Sequence, residues 1–141
     1  MDIQLIIEEY HRAVDVFSRG NPEPVKKLYS QLDDSMLANP FGSTVKGWDR
    51  VSQALDFASS QFRDGEVKSF ETIVAYQTND LVTMFEIERW ESKVGGKQEI
   101  SSFNLRVTTT FRKEQNNWKL IHRHADHISS INVQGPTRTD L

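Results

Sequence analysis

The chain has 141 residues, of which 37% are hydrophobic and 26% are charged, and no segment departs from this composition. This length and balance predict one domain with a single core. The net charge is −3 and no basic stripe is present, which argues against nucleic acid as a partner. The sequence contains no cysteine, which excludes disulfides, thiolate nucleophiles and cysteine-ligated zinc.

The sequence also bears on location. No apolar run approaches the roughly 18 residues that a membrane span requires. Asp2, Glu8 and Glu9 stand near the N-terminus, where a secretory signal peptide would carry positive charge. We therefore expect a cytoplasmic protein without a membrane partner.

Helical periodicity dominates the first part of the chain. Apolar residues recur at helical spacing over Ile3–Phe17, and Gly20-Asn21-Pro22 ends this pattern. A short second helix is predicted over residues 22–29, where a proline in the first turn costs no hydrogen bond. A short strand is predicted at Met36–Ala38. A third helix is predicted over residues 48–62.

After the third helix, the spacing of apolar residues changes to the two-residue alternation of β-strands. Four strands are predicted, over residues 67–76, Leu81–Val94, 98–112 and 118–131. Helices followed by a strand meander predict an α+β fold with helices on one face of a largely antiparallel sheet. We expect a single domain over residues 1–134 and a loose polar tail over residues 135–141.

The Gly95-Gly96 dipeptide suits a two-residue hairpin turn that places Val94 opposite Lys97. This register pairs Trp90 with Ser101, Glu88 with Phe103, Glu86 with Leu105, and Met84 with Val107. Both glutamates then share a face with an apolar row, because side chains alternate along a strand. Since the opposite face is also partly apolar, we expect helices on one face and a second copy of the chain on the other.

Three segments carry a resemblance to a known family. They are residues 9–15 (EYHRAVD), residues 39–42 (NPFG) and residues 118–126 (WKLIHRHAD). Together with the order of elements, they resemble the SnoaL-like and ketosteroid isomerase-like branch of the nuclear transport factor 2-like superfamily. The last segment is also similar to the association domain of calcium/calmodulin-dependent kinase II. The resemblance implies a cystatin-like cone, in which a strongly bent sheet wraps a pocket, and a homodimer packed sheet to sheet.

The resemblance also assigns roles to residues. Tyr10 matches the tyrosine that donates to the oxyanion in ketosteroid isomerases. Asn39 stands where those enzymes carry the aspartate that shuttles the proton, and Val107 stands near their second oxyanion donor. Because an amide cannot accept a proton at neutral pH, steroid isomerisation is not expected. The alternative interpretation makes Tyr10 a core tyrosine and Asn39 a turn residue.

The last predicted strand is the second candidate site. Its orientation depends on the loop over residues 113–117, because a slip of one residue turns the strand over. If Arg112 faces Trp118, Arg123 lies beside Val107 on the face that carries the two glutamates. Arg123 would then clamp a ligand carboxylate or neutralise Glu88. The resemblance favours this register and implies that Ile121, Arg123 and Ala125 line the pocket.

The other register turns His122, His124 and Asp126 inward. A His–Asp pair could act there as a general base. A His-x-His pair beside a carboxylate could also bind zinc, but without a third histidine at firm spacing no metal site is predicted. His11 and His127 have no partner that the sequence reveals.

The sequence thus predicts a pocket protein for a small apolar or carboxylate-bearing molecule, without cofactor. It is either a cofactor-free isomerase, dehydratase or cyclase that works by proton transfer, or a non-catalytic ligand-binding or dimerisation module. The predicted catalytic residues are Tyr10, Glu88, His122, His124 and Asp126. The predicted ligand-binding residues are Asn39, Phe41, Trp48, Glu86, Trp90, Phe103 and Arg123.

Overall fold

The computed structural model describes residues 2–128 and confirms the α+β prediction. The helices are α1 (Ile3–Phe17), α2 (Glu23–Leu28) and α3 (Trp48–Ser60). The strands are β1 (Met36–Ala38), β2 (Thr44–Lys46), β3 (Phe62–Gln77), β4 (Leu81–Val94), β5 (Ser101–Glu114) and β6 (Asn117–His127). In this part of the chain, no helix is long and apolar enough to cross a membrane.

The six strands form one mixed sheet in the order β2-β1-β6-β5-β4-β3. Strands β1 and β6 run parallel, whereas the other neighbours are antiparallel. Three register shifts interrupt the pairing of β3 with β4. Because bulges bend and twist a strand, the sheet curves around the helices. The face toward the helices is called the inner face here, and the opposite one the outer face.

Helix α1 fixes this arrangement. The side chain of Asp2 accepts a hydrogen bond from the backbone N–H of Gln4 and so caps the helix start. Its buried stripe lies against the inner face of the sheet and comprises Ile6, Tyr10, Ala13, Val14 and Phe17. The stripe encloses the core between α1, α3 and the curved sheet.

Element bounds differ from the predictions mainly around α3. Strand β2 is missed by the sequence pattern, and α3 ends before Phe62, which instead begins β3. The predicted helix stop at residues 63–65 lies inside β3 as a bulge, with Asp64 at a φ of 53°. A Cβ at Gly65 would meet the carbonyl oxygen of Ser18 and the side chain of Ser92, so only glycine allows this close approach.

The register of β4 with β5 differs by two residues from the predicted one. Lys97 N donates to Val94 O at 3.3 Å, so the predicted tight turn forms. The chain then makes a longer excursion before β5 begins. As a result Trp90 faces Phe103, Glu88 faces Leu105, Glu86 faces Val107 and Met84 faces Thr109. A shift of two residues preserves the faces, so both glutamates still lie on the inner face.

Strand β6 contains a bulge that decides which side chains point inward. Arg112 faces Lys119 rather than Trp118, but the pairing shifts by one residue at Ile121, which has no partner on β5. Arg123 therefore lies opposite Thr109 rather than Val107. The prediction that Arg123 shares the inner face with the glutamates is confirmed, and the alternative register does not occur. The part of the predicted strand beyond residue 128 and the predicted tail lie outside the described residues.

Candidate functional site

A cavity of about 390 Å³ lies between the helices and the inner face of the sheet. This volume falls within the range of small-molecule pockets, roughly 300–1,000 Å³. Its wall is mainly apolar, with contributions from α1, α3, β3, β4 and β5 that include Val14, Phe17, Leu55, Phe62, Trp90 and Phe103. An apolar molecule of moderate size would therefore exchange water for close packing on entering it.

A few polar side chains interrupt this wall, namely Asn39, Lys97, Ser101, Arg123 and His127. Along β6, Arg123, Ala125 and His127 follow one another on the inner face, and four residues of extended chain span roughly 13 Å. Arg123 is buried at one end and His127 is exposed at the other. No carboxylate belongs to the described wall. Its polar groups therefore suit a ligand with a hydrogen-bond acceptor.

Asn39 stands at the end of β1, where the chain turns toward β2. Its Oδ1 accepts from Phe41 N at 2.9 Å, and Gly42, with a φ of 97°, completes the turn. This bond identifies the other side-chain atom as the amide nitrogen. Nδ2 is buried and has no hydrogen-bond partner among the described residues. An unsatisfied buried donor costs about 1–3 kcal/mol, so this group favours an acceptor.

Arg123 belongs to a buried cluster beside the cavity. Its Nη1 and Nη2 donate to the two carboxylate oxygens of Glu88, at 2.7 and 2.9 Å. Trp90 Nε1 donates to Glu88 Oε1 at 2.9 Å. Nη1 also donates to the hydroxyl of Tyr10, which is paired with Thr109 Oγ1 at 2.8 Å. Glu88 is fully buried, so its charge is balanced inside the core by one bidentate arginine.

Burial and the neighbouring charges shift the pKa values of the cluster. Burial alone would lower the pKa of Arg123, but the negative charge of Glu88 and the hydrogen bonds raise it by a larger amount, so the pKa lies well above the ordinary value. Burial raises the pKa of Tyr10 far above its usual value, and the nearby charge of Arg123 opposes this only in part. Tyr10 therefore stays protonated. Neither Tyr10 nor Glu88 belongs to the described cavity wall.

Glu86 forms a separate buried pair on the same face of β4. Its carboxylate lies 2.9 and 3.1 Å from His11 Nε2 and accepts from Thr72 Oγ1 at 2.7 Å. The His11 ring stacks on Phe70, with the ring centroids 4.0 Å apart. The sequence offers no partner for His11 because the contact joins α1 to residues far away in the chain. Glu86 was predicted to bind ligand, but the structure places it in this pair, away from the cavity wall.

The histidines of β6 lie mostly on the outer face. His124 Nε2 and Asp126 Oδ2 are 2.8 Å apart, and both side chains are more than half exposed. Partial burial, with the neighbouring His124, lowers the pKa of His122. None of His122, His124 and Asp126 belongs to the described cavity wall. Within the described chain, no three His, Asp or Glu side chains are grouped to hold a metal ion.

The structure thus divides the predicted site residues among several places. Asn39, Phe41, Trp90, Phe103 and Arg123 lie together in the cavity wall. Trp48 instead packs near Tyr29 at the start of α3, outside this wall.

Two features of the wall differ from the sequence interpretation. Ile121 was predicted to line the pocket, but it is the unpaired bulge residue and lies outside the wall. His127, for which the sequence suggested no role, does line it, and its ring packs edge-on against Phe103. Its alternation with Arg123 along one strand was the available signal.

The family model for the SnoaL-like domain matches residues 3–129. The chain belongs to the SnoaL-like domain family. Solved structures similar to this SnoaL-like chain include a nuclear transport factor 2-like superfamily protein from Salmonella enterica serovar Typhimurium, with a TM-score of 0.73 and 13% identity over 90% of this chain and 89% of that one. A ketosteroid isomerase-like protein from Erwinia carotovora atroseptica is similar with a TM-score of 0.67 and 16% identity, over 81% of this chain and 86% of that one.

A protein with a cystatin-like fold from Nostoc punctiforme is similar with a TM-score of 0.70 and 17% identity, over 92% of this chain and 93% of that one. At these identities the similarity establishes the fold alone. No curated protein matches the SnoaL-like chain significantly. The nuclear transport factor 2-like, cystatin-like architecture that the sequence resemblance implied is therefore confirmed.

Proposed function

We propose that this SnoaL-like domain binds a small, mainly apolar molecule in the cavity between α1, α3 and the sheet. The observation that carries the proposal is the cavity itself, with its volume of about 390 Å³ and its wall of aliphatic and aromatic side chains. Burial of apolar ligand surface supplies roughly 25 cal/mol per Å², which is the main driving force for such a site.

The buried cluster supports a binding function rather than proton transfer by Tyr10 and Glu88. Glu88 accepts three hydrogen bonds, two of them from a guanidinium. These donors occupy both carboxylate oxygens, and Glu88 does not belong to the described cavity wall, so neither oxygen is placed to take a proton from a ligand. We therefore assign the cluster to shaping and stabilising one end of the cavity.

Calorimetric titration with indane, a rigid bicyclic hydrocarbon, tests this proposal. Wild-type protein should bind indane saturably. Ala125→Phe places a ring in the cavity, since Ala125 is buried and lines the wall, and should weaken binding at least about tenfold. Ala75→Phe is the matched control because Ala75 is exposed on β3. Equal binding by both variants, or no binding by the wild type, would contradict the proposal.

A second function, proton transfer, is favoured by the position of His127 in the wall. Imidazole is a base suited to neutral pH. The probe is 5-nitrobenzisoxazole, from which a base removes the C3 proton while the N–O bond breaks, giving a coloured cyanophenolate. His127→Gln should abolish any acceleration, whereas His124→Gln, on the outer face, should leave it intact. A rate that His127→Gln leaves unchanged would exclude this role.

A homodimer remains part of the proposal. Ile73, Tyr76 and Leu81 expose large apolar or aromatic side chains along β3 and β4. A second copy of the chain packed against the outer face would cover them.

A further inference from the structure

We propose that the cavity selects ligands with an uncharged carbonyl oxygen and that Asn39 is the residue that receives this oxygen. The inference rests on the proposed binding function and adds the chemical class of the ligand. Three features of the wall support this proposal: the unpaired amide nitrogen of Asn39, the paired charge of Arg123 and the charge balance around the cavity.

The first feature is the unsatisfied amide of Asn39. Its oxygen is engaged by Phe41 N, so the side chain cannot turn over without losing that bond. Its Nδ2 is buried and lacks a partner among residues 2–128, although Asn39 lies in the cavity wall. Such a donor gains a hydrogen bond only from an acceptor, which an apolar ligand lacks.

The second feature is the engagement of Arg123. Its two terminal nitrogens are bonded to Glu88 and Tyr10, and Nε takes no part in these bonds. The guanidinium charge is thereby matched within the protein. One N–H of Nη2 and the N–H of Nε therefore remain to donate to a ligand oxygen, but Arg123 has no unpaired charge for a carboxylate.

The third feature is the balance of charge in the wall. Glu88 neutralises Arg123, and the remaining cation of the described wall, Lys97, is exposed at the turn after β4. A carboxylate placed beside Asn39 would therefore be desolvated without a free counter-charge close by. A ketone, ester or amide carbonyl meets the donor without this cost.

Three ligands with the same ring system distinguish an apolar, a carbonyl-bearing and an anionic ligand: indane, 2-indanone and indane-2-carboxylate. The critical variant is Asn39→Asp, which keeps an oxygen to accept from Phe41 N, replaces the donor at Nδ2 by a second acceptor oxygen and adds a negative charge, so that position 39 can no longer donate to a ligand oxygen. The ratio of 2-indanone to indane affinity, measured at pH 7.5 for each protein, cancels general effects of the substitution. We expect this ratio to fall about five- to tenfold in Asn39→Asp, as the loss of one hydrogen bond predicts.

Ser102→Ala is the control, because Ser102 is exposed on β5 and does not belong to the described wall, and it should leave the ratio unchanged. An unchanged ratio in Asn39→Asp would overturn the inference while the binding function stands. Tighter binding of indane-2-carboxylate than of 2-indanone by the wild type would also overturn it, and this comparison requires no variant. Failure of both indane and 2-indanone to bind would remove the proposed function itself.

Discussion

The buried pair of Arg123 and Glu88 allows a quantitative test of whether the cluster stabilises the fold. Both side chains are at least nine-tenths buried, and two hydrogen bonds join them. Glu88→Gln leaves Arg123 without a counter-charge, and Arg123→Met leaves the carboxylate alone. Removing one partner of a buried ion pair costs about 3–5 kcal/mol, which is a large fraction of the roughly 5–15 kcal/mol that stabilises a typical domain.

The double variant Glu88→Gln/Arg123→Met should be more stable than the two single effects predict together. It leaves no buried charge, and the glutamine oxygen can still accept from Trp90 Nε1. We expect its loss to be less than half the sum of the two single losses. Urea unfolding followed by circular dichroism at 25 °C gives all the required free energies, and the difference from additivity is the coupling energy.

Arg112→Met is the matched control. Arg112 makes a bidentate pair with Asp34 and a further bond to Glu114, but at the surface. Its loss should cost no more than about 1 kcal/mol. If both single variants at Arg123 and Glu88 also cost less than this, or if the double variant shows simple additivity, the two buried charges are not energetically coupled.

Three further predictions concern other parts of the molecule. His11→Ala should destabilise the fold by about 1–3 kcal/mol in urea unfolding, because it leaves buried Glu86 with Thr72 as its hydrogen-bond donor. Stability should fall as the pH drops below about 6.5, because the lowered pKa of His122 means that the unfolded chain binds its proton more readily; His122→Gln should flatten this dependence. Tyr76→Lys should convert the proposed dimer to a monomer in light scattering, because it places a charge on the exposed outer face.

Each of these three predictions has a control. His124→Ala should change stability by less than about 0.5 kcal/mol, since its pair with Asp126 is exposed. If His124→Ala costs as much unfolding free energy as His11→Ala, burial does not explain the effect of His11→Ala. A pH profile unaltered in His122→Gln would assign the titration to another group. Lys68→Ala, an exposed change outside the patch of Ile73, Tyr76 and Leu81, should leave the mass unchanged, and a wild-type monomer would contradict the dimer.

The faces of the long strands were predictable from the sequence because alternation does not depend on the pairing partner. Glu86 and Glu88 face inward in the structure although the β4–β5 register differs by two residues. Helix α1 and strand β4 have the predicted bounds for a similar reason, since their periodic patterns are long and end at clear turn residues.

The orientation of β6 could not be predicted from the residue pattern alone. After the turn between β5 and β6, Arg112 pairs with Lys119 rather than with the predicted Trp118, and this register alone would turn Arg123 outward. The bulge at Ile121 then shifts the pairing by one residue and turns Arg123 inward again. A bulge of this kind carries no local sequence signal here, so the correct face was obtained from the family resemblance. The contacts of His11 and His127 were missed because they depend on residues that meet only in the folded chain.

The most direct measurement is a ¹H–¹⁵N spectrum of the three tryptophan indole groups during titration with indane. Trp90 lies in the cavity wall, whereas Trp48 and Trp118 lie outside it. Each resonance can be assigned by one Trp→Phe substitution. We expect a saturable shift of the Trp90 indole resonance and little change at the other two. A shift confined to Trp48 or Trp118, or no shift at saturating indane, would contradict the claim that this cavity is the binding site.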